Sequence, residues 1–142
     1  MEVRWKEEQT LMPTFKFSKS SMYRLDTCHP VLKLLMTRVL DASPHDMTVL
    51  YGHRNQEDQD RAYVLGNSKL KWPNSKHNST PSMAVDVAPY PVDWNNIDSF
   101  KQLAVIVKSV WDEMTDDERD GYHLVHGADW KMKDWPHWEL RK

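Results

Sequence analysis

A single cysteine, Cys28, stands among 142 residues, so no internal disulfide can staple the fold and a packed core has to supply the stability. Its position just ahead of a predicted helix suits small apolar filler better than a thiol nucleophile. No tract is repetitive or of low complexity, which excludes a solenoid or a disordered linker. No run of about 18 apolar residues occurs, and Met1-Glu-Val-Arg-Trp-Lys-Glu-Glu8 lacks the basic start and apolar stretch of a signal peptide. The expectation is a protein that crosses no membrane and resides in the cytoplasm. Charge of one sign is lacking too. With 19 basic and 21 acidic residues interspersed, the formal charge is -2, and no basic field exists to hold nucleic acid or an anionic membrane surface.

What is present is enough apolar and aromatic matter for a core, 39% and 11% of residues, with length for one domain. The reading is a domain over 18–142, preceded by an arm or early loop over 1–17 that shows no periodicity. Pro30 followed by Leu32, Leu35, Met36 and Val39 spells an amphipathic helix ending near Ser43-Pro44, with Asp26 or Thr27 as its cap. Met47–Tyr51 is a strand stopped by Gly52, which delivers His53 and Arg54 to its end. Asn55 caps a short helix through Leu65, and Gly66 ends it. Residues 67–82, rich in Pro, Asn and Ser, form loop. Ala84–Ala88 is a strand that ends at Pro89, and a second amphipathic helix starts at Asp98. It keeps Phe100, Leu103, Ala104, Val107, Trp111 and Met114 on one face. Thr115-Asp-Asp-Glu118 has capping-box spacing. Tyr122–His126 and His137–Leu140 are the last strands, separated by Gly127-Ala-Asp-Trp130 and Pro136. The fold class is α+β, with helices packed on a small antiparallel sheet.

Strand alternation puts Asp86 on one face with Ala84 and Ala88, opposite Val85 and Val87. A carboxylate there is paired, bound to metal, or destabilising. His77 lies nine positions earlier, across a loop that can bend back, and His137 follows Pro136 at the start of the final strand. Two imidazoles and one carboxylate, with a fourth position left for water, are the ligands of a catalytic zinc. Spacing alone does not decide it. Seven histidines and 21 acidic residues make chance His, Asp and His sets easy to find, and ordinary hydrogen-bonded roles stay open.

Asp134, three residues before His137, can take a proton from a water and return it to a leaving amine. Asp129 is the rival base, although its setting suits a turn. Arg54 offers paired donors to a substrate carboxylate or an oxyanion, or else sits on the surface. His53, His123 and His126 are ligands by residue type only; the last two alternate with apolar residues and are expected to line the site or face solvent. Trp72, Trp94, Trp130, Trp135 and Trp138 are read as core rather than as a sugar platform.

The order of the pieces is more telling than any one of them. Gly52-His-Arg-Asn-Gln-Glu-Asp-Gln59, Ser75-Lys-His77, Ala84-Val-Asp86 with Pro89-Tyr90, Gly127-Ala-Asp-Trp130 and Asp134-Trp-Pro-His137 together resemble the zinc D,D-carboxypeptidase and L-alanyl-D-glutamate peptidase family. That family includes phage endolysins and the VanX and VanY resistance enzymes, and the resemblance runs over about residues 18 to 140. It implies a hedgehog-like and D,D-peptidase-like fold with one Zn2+ per chain on His77, Asp86 and His137. It further implies Asp134 as the catalytic carboxylate, Arg54 as a transition-state or carboxylate contact, and Gln59 and Ser75 as substrate contacts.

Two departures from the common pattern stand out. The interval from His77 to Asp86 is longer than in common members and lacks their glycine, as in a phage-associated branch with a similar pattern; the loop 78–83 borders the cleft and bears on substrate preference. Gly-Ala-Asp-Trp also replaces the usual Gly-Gly-Asp-Trp. The resemblance implies a monomeric phage endolysin that hydrolyses the L-alanyl-D-glutamate bond of peptidoglycan stems and reaches the wall through a membrane lesion made by another protein. A D-alanyl-D-alanine carboxypeptidase, a non-catalytic zinc-stabilised wall-binding module and a virion-borne wall-degrading part are the alternatives.

Overall fold

Two apolar stripes organise the chain. In the computed structural model, which describes residues 14–142, helix α2 (Pro30–Ala42) buries Val31, Leu32, Leu35, Met36, Val39 and Leu40. Helix α4 (Ile97–Glu113) buries Phe100, Leu103, Ala104, Val107 and Val110. The two helices pack on each other and, through this shared cluster, on one face of a four-stranded sheet. The strands are β1 (Met47–Tyr51), β2 (Ala84–Pro89), β3 (His123–His126) and β4 (His137–Arg141), in the order β1-β2-β4-β3 with every pairing antiparallel. The α+β reading with helices on an antiparallel sheet therefore holds.

Alternation gives the sheet two characters. Val85 and Val87 face the helices with Met47, Val49, Trp138 and Leu140. Asp86 lies on the opposite face beside His137, its partner in register, while Ala84 sits beside Glu139. Because β2 is flanked on both sides and covered, Ala84 through Ala88 are all buried. The polar face of the two central strands is thus held by a ladder flanked on both sides by further strands.

Several boundaries differ from expectation. An additional helix, α1 (Lys19–Asp26), precedes α2 and packs on β1 through Ser21, whose Oγ lies 3.1 Å from Thr48 Oγ1 and accepts from the Val49 N–H at 3.0 Å. Neither Asp26 nor Thr27 caps α2: the His29 imidazole accepts from the Val31 N–H. Thr27 instead donates to the Arg24 carbonyl and accepts from the His53 N–H, and Asp26 pairs with Lys33. Helix α3 (Gln56–Val64) has the Asn55 cap expected of it, with Gly66 beyond its end at φ +80°. Asn96 caps α4, which begins at Ile97, one residue ahead of the expected Asp98. Both capping-box hydrogen bonds form at Thr115 and Glu118, ahead of α5 (Asp116–Arg119). Of the arm expected over 1–17, residues 1–13 lie outside the described residues, and Phe15 and Phe17 pack against the core. Among the described residues, no helix is long and apolar enough to cross a membrane.

Candidate metal centre

Three elements converge on the polar face of the sheet. Asp86 and His137 arrive on adjacent strands, while His77 comes from a one-turn 3-10 helix, Lys76–Asn78, inside the long loop. That turn is fixed by its own caps: Ser75 Oγ accepts from the His77 N–H at 3.2 Å, and Asn78 Oδ1 accepts from the Ser75 N–H at 3.0 Å. The far end of the loop is pinned where Ser82 pairs with Cys28 between α1 and α2. Burial pushes the Cys28 thiol up to about 12, so it is inert filler, in line with expectation.

His77 Nε2, Asp86 Oδ1 and His137 Nδ1 stand 3.2, 3.3 and 3.0 Å apart around one point, taken as His77 to Asp86, His77 to His137 and His137 to Asp86. A tetrahedral site with bonds of ~2.0–2.1 Å has ligand-to-ligand edges of about 3.3 Å, so the triangle already has the dimensions of a divalent ion's first shell. Protons point the same way. His77 Nδ1 lies 2.7 Å from the Gly52 carbonyl, and His137 Nε2 lies 2.8 Å from Glu139 Oε1. Both of those oxygens only accept when Glu139 is ionised, so each outer nitrogen carries the hydrogen and each inner nitrogen presents a lone pair. Two lone pairs and a carboxylate oxygen, all buried, form a donor set that one cation can share.

With no ion bound, protons on the two imidazoles take its place beside the carboxylate. Burial alone would raise Asp86, but the His77 charge and hydrogen bonds from both imidazoles hold its carboxyl well below the usual carboxylate range. Burial would lower His137, yet hydrogen bonds to Asp86 and Glu139 raise it to about 9. The donor set fits a metal ion, and among the described residues His77, Asp86 and His137 are the group able to hold one.

Arg54 borders this centre. It is buried, with Nη2 3.6 Å from Asp86 Oδ2 and its guanidinium 4.7 Å above the Tyr51 ring, and its backbone N–H donates to the His77 carbonyl at 2.8 Å. The expectation that Gln59 touches substrate gives way to an indirect role, because the side chain is 0% exposed and both ends of its amide are engaged. Oε1 accepts from Arg54 and Asn78, while Nε2 donates to Ser68 and to the Leu70 carbonyl. Ser75 is buried at the cap described above.

Asp134 is half-buried on the turn leading into β4. Burial and then the negative charge of Asp86 raise its carboxyl above the ordinary value. Its N–H donates to the Gly127 carbonyl at 3.0 Å, and its carbonyl accepts from the His137 N–H at 3.3 Å. Gly127 is there because nothing larger fits: a Cβ would lie 2.5 Å from the Asp134 carbonyl and 3.0 Å from His137 Cβ. The rival, Asp129, is exposed on the Gly127–Asp129 turn.

The remaining candidates separate from the centre. His53 binds the Ser79 carbonyl through Nδ1, and His123 is exposed. His126 was expected to line the site or face solvent, but it is buried on the core face, stacked 3.7 Å from Trp138 and hydrogen-bonded to the Trp135 carbonyl. The tryptophan expectation holds for Trp138 alone: Trp94 is 58% exposed, and Trp72, Trp130 and Trp135 are half-buried. Trp130 lies 5.0 Å from the His137 ring. Sequence reasoning missed Glu139 and Asn78. Glu139 carried a signal, since a residue two beyond a ligand on a strand shares its face.

Comparison with known proteins bears on the chain as a whole. Residues 13–141 match the family model described as phage L-alanyl-D-glutamate peptidase. The L-alanyl-D-glutamate peptidase of Escherichia phage T5 is 31% identical over 132 residues, covering 91% of this chain and 91% of that protein. The solved Serratia marcescens L-Ala D-Glu endopeptidase ChiX superposes with a TM-score of 0.73 at 28% identity, over 93% of this chain and 92% of its own.

Proposed function

The chain belongs to the phage L-alanyl-D-glutamate peptidase family, and from that premise we propose that it is a zinc-dependent peptidase cleaving the L-alanyl-D-glutamate bond in peptidoglycan stems. The observation that carries the zinc assignment is the triangle of His77 Nε2, Asp86 Oδ1 and His137 Nδ1 with edges of 3.0 to 3.3 Å. Zinc held there would polarise the scissile carbonyl and acidify a water at the fourth position.

The chain's own residues divide the other tasks. Asp134 takes the proton of the attacking water and returns it to the leaving amine, and its raised affinity for protons suits both halves of that exchange. Arg54, packed on Tyr51 and held by Gln59, donates to the oxyanion of the tetrahedral intermediate or to a substrate carboxylate. Gln59 and Asn78 act through Arg54 and the His77 turn. Ser75, as cap of that turn, positions His77 and stands at the substrate edge. The loop 78–83 shapes that edge and with it the choice of bond. As a phage endolysin the protein works as a monomer, accumulates in the host cytoplasm and reaches the wall through a membrane lesion made by another protein.

Incubating purified protein with peptidoglycan, with and without chelator, and reading new termini by mass spectrometry tests the reading. New amino termini on D-glutamate, abolished by chelator and restored by zinc, are expected. Released D-alanine would reassign the enzyme as a carboxypeptidase, and absence of both products would leave a wall-binding module.

A further inference from the structure

Beyond the ligands, we infer that Glu139 is a positioning residue that sets the tautomer, orientation and donor strength of His137 toward the metal, with Arg141 as its anchor; this rests on the metal reading above. Glu139 is 4% exposed, and its neighbours in register are Ala84 on β2 and Val125 on β3, neither able to stabilise a charge. A buried carboxylate between an alanine and a valine is destabilising unless both oxygens find partners. They do: Oε1 lies 2.8 Å from His137 Nε2, and Oε2 accepts from Arg141 Nε at 2.8 Å. His137, Glu139 and Arg141 alternate along β4, so the same pleat that aims Nδ1 at the centre aims Nε2 at the carboxylate.

The consequence is chemical. With an acceptor at Nε2, the hydrogen of the neutral ring stays there and Nδ1 is left as the lone pair; the other tautomer would point an N–H at the ion. Glu139 also adds negative charge behind the ring, which strengthens Nδ1 as a donor. The two imidazoles therefore differ. His77 is backed by a neutral backbone carbonyl and His137 by a charge. Arg141 is half-exposed and orients the carboxylate from the solvent side.

The test compares the full chain with Glu139→Ala and Glu139→Gln. Zinc affinity is measured by competition with a chromogenic chelator, alongside the visible spectrum of the cobalt-loaded protein. Glu139→Ala should bind zinc about 10–100-fold more weakly and shift the cobalt bands. Glu139→Gln, whose amide oxygen still accepts from Nε2 without the charge, should recover part of that affinity. If the alanine variant does not fold, the glutamine variant decides alone, with weakened zinc binding expected. Variants that match the parent in affinity and spectrum overturn the positioning role while leaving the metal site intact. A parent that binds no zinc overturns the metal reading itself.

Discussion

The two sides of the candidate metal centre are built in different ways. Asp86 and His137 sit opposite each other on the paired central strands, where backbone ladders and a buried apolar face hold them. His77 sits in a loop, and its position depends on a chain of side chains: the Ser75 cap, the Asn78 bridge to the Arg54 carbonyl and Gln59, and the Gly52 carbonyl behind the ring. Ligands placed by a ladder tolerate change in individual neighbours. A ligand placed by a polar network depends on every member, because a half-satisfied buried network is worse than none. The lesson is that one cluster of candidate ligands can have a rigid wall and a conditional one.

The largest expected effect separates chemistry from either wall. Asp134→Asn should lower peptidoglycan hydrolysis about 10²–10⁴-fold while leaving zinc affinity near that of the parent, measured by turbidity loss and chelator competition. Full activity in this variant would remove Asp134 from the reaction.

Asn78→Ala tests the conditional wall directly. It removes the side-chain partner of the buried Ser75 N–H and of the Arg54 carbonyl and one of the two donors to Gln59 Oε1, with an expected stability loss of about 1–3 kcal/mol in urea unfolding. Metal affinity should fall with it. Reduced stability at unchanged affinity would mean that the strands alone determine the site, and the contrast between the walls would collapse.

The smallest effect concerns Cys28, which ties the loop's end to the helices. Its folded value of about 12 lies above the ordinary 9.0, so the neutral thiol contributes stability that is fully present below pH 9 and is lost as pH rises toward 12. At pH 8 a thiol reagent should modify the native chain slowly and Asn78→Ala faster. Equal rates would place the loop's opening elsewhere.

Much of this was legible beforehand, for identifiable reasons. The stripes of α2 and α4 and the alternation around Asp86 are periodic signals, and periodicity survives without tertiary knowledge. The three candidate ligands that the fold brings together were singled out through the order of several motifs, since His, Asp and His at those spacings had ordinary explanations. Helix α1 was not, because Lys-Ser-Ser-Met-Tyr-Arg-Leu-Asp buries only Ser21 and Leu25 and presents no apolar stripe. His29 as a cap, His126 flat against Trp138, and Glu139 behind His137 are all facts of tertiary approach. A histidine between apolar residues reads as surface or site until its stacking partner is known. The tryptophans were misread for the opposite reason: large aromatic area usually means core, and here Trp94 is exposed while Trp72, Trp130 and Trp135 are only half-buried.

Gly52 carries an implication for anyone mapping this protein by mutation. A Cβ there would strike the Arg24 carbonyl and Thr27 Oγ1, and its own carbonyl orders a ligand on the other side. In a saturation library, position 52 should be as intolerant as the ligands themselves. Its intolerance would report crowding between a helix end and a strand end, so a map of lost activity will overstate the size of the reacting centre on that side.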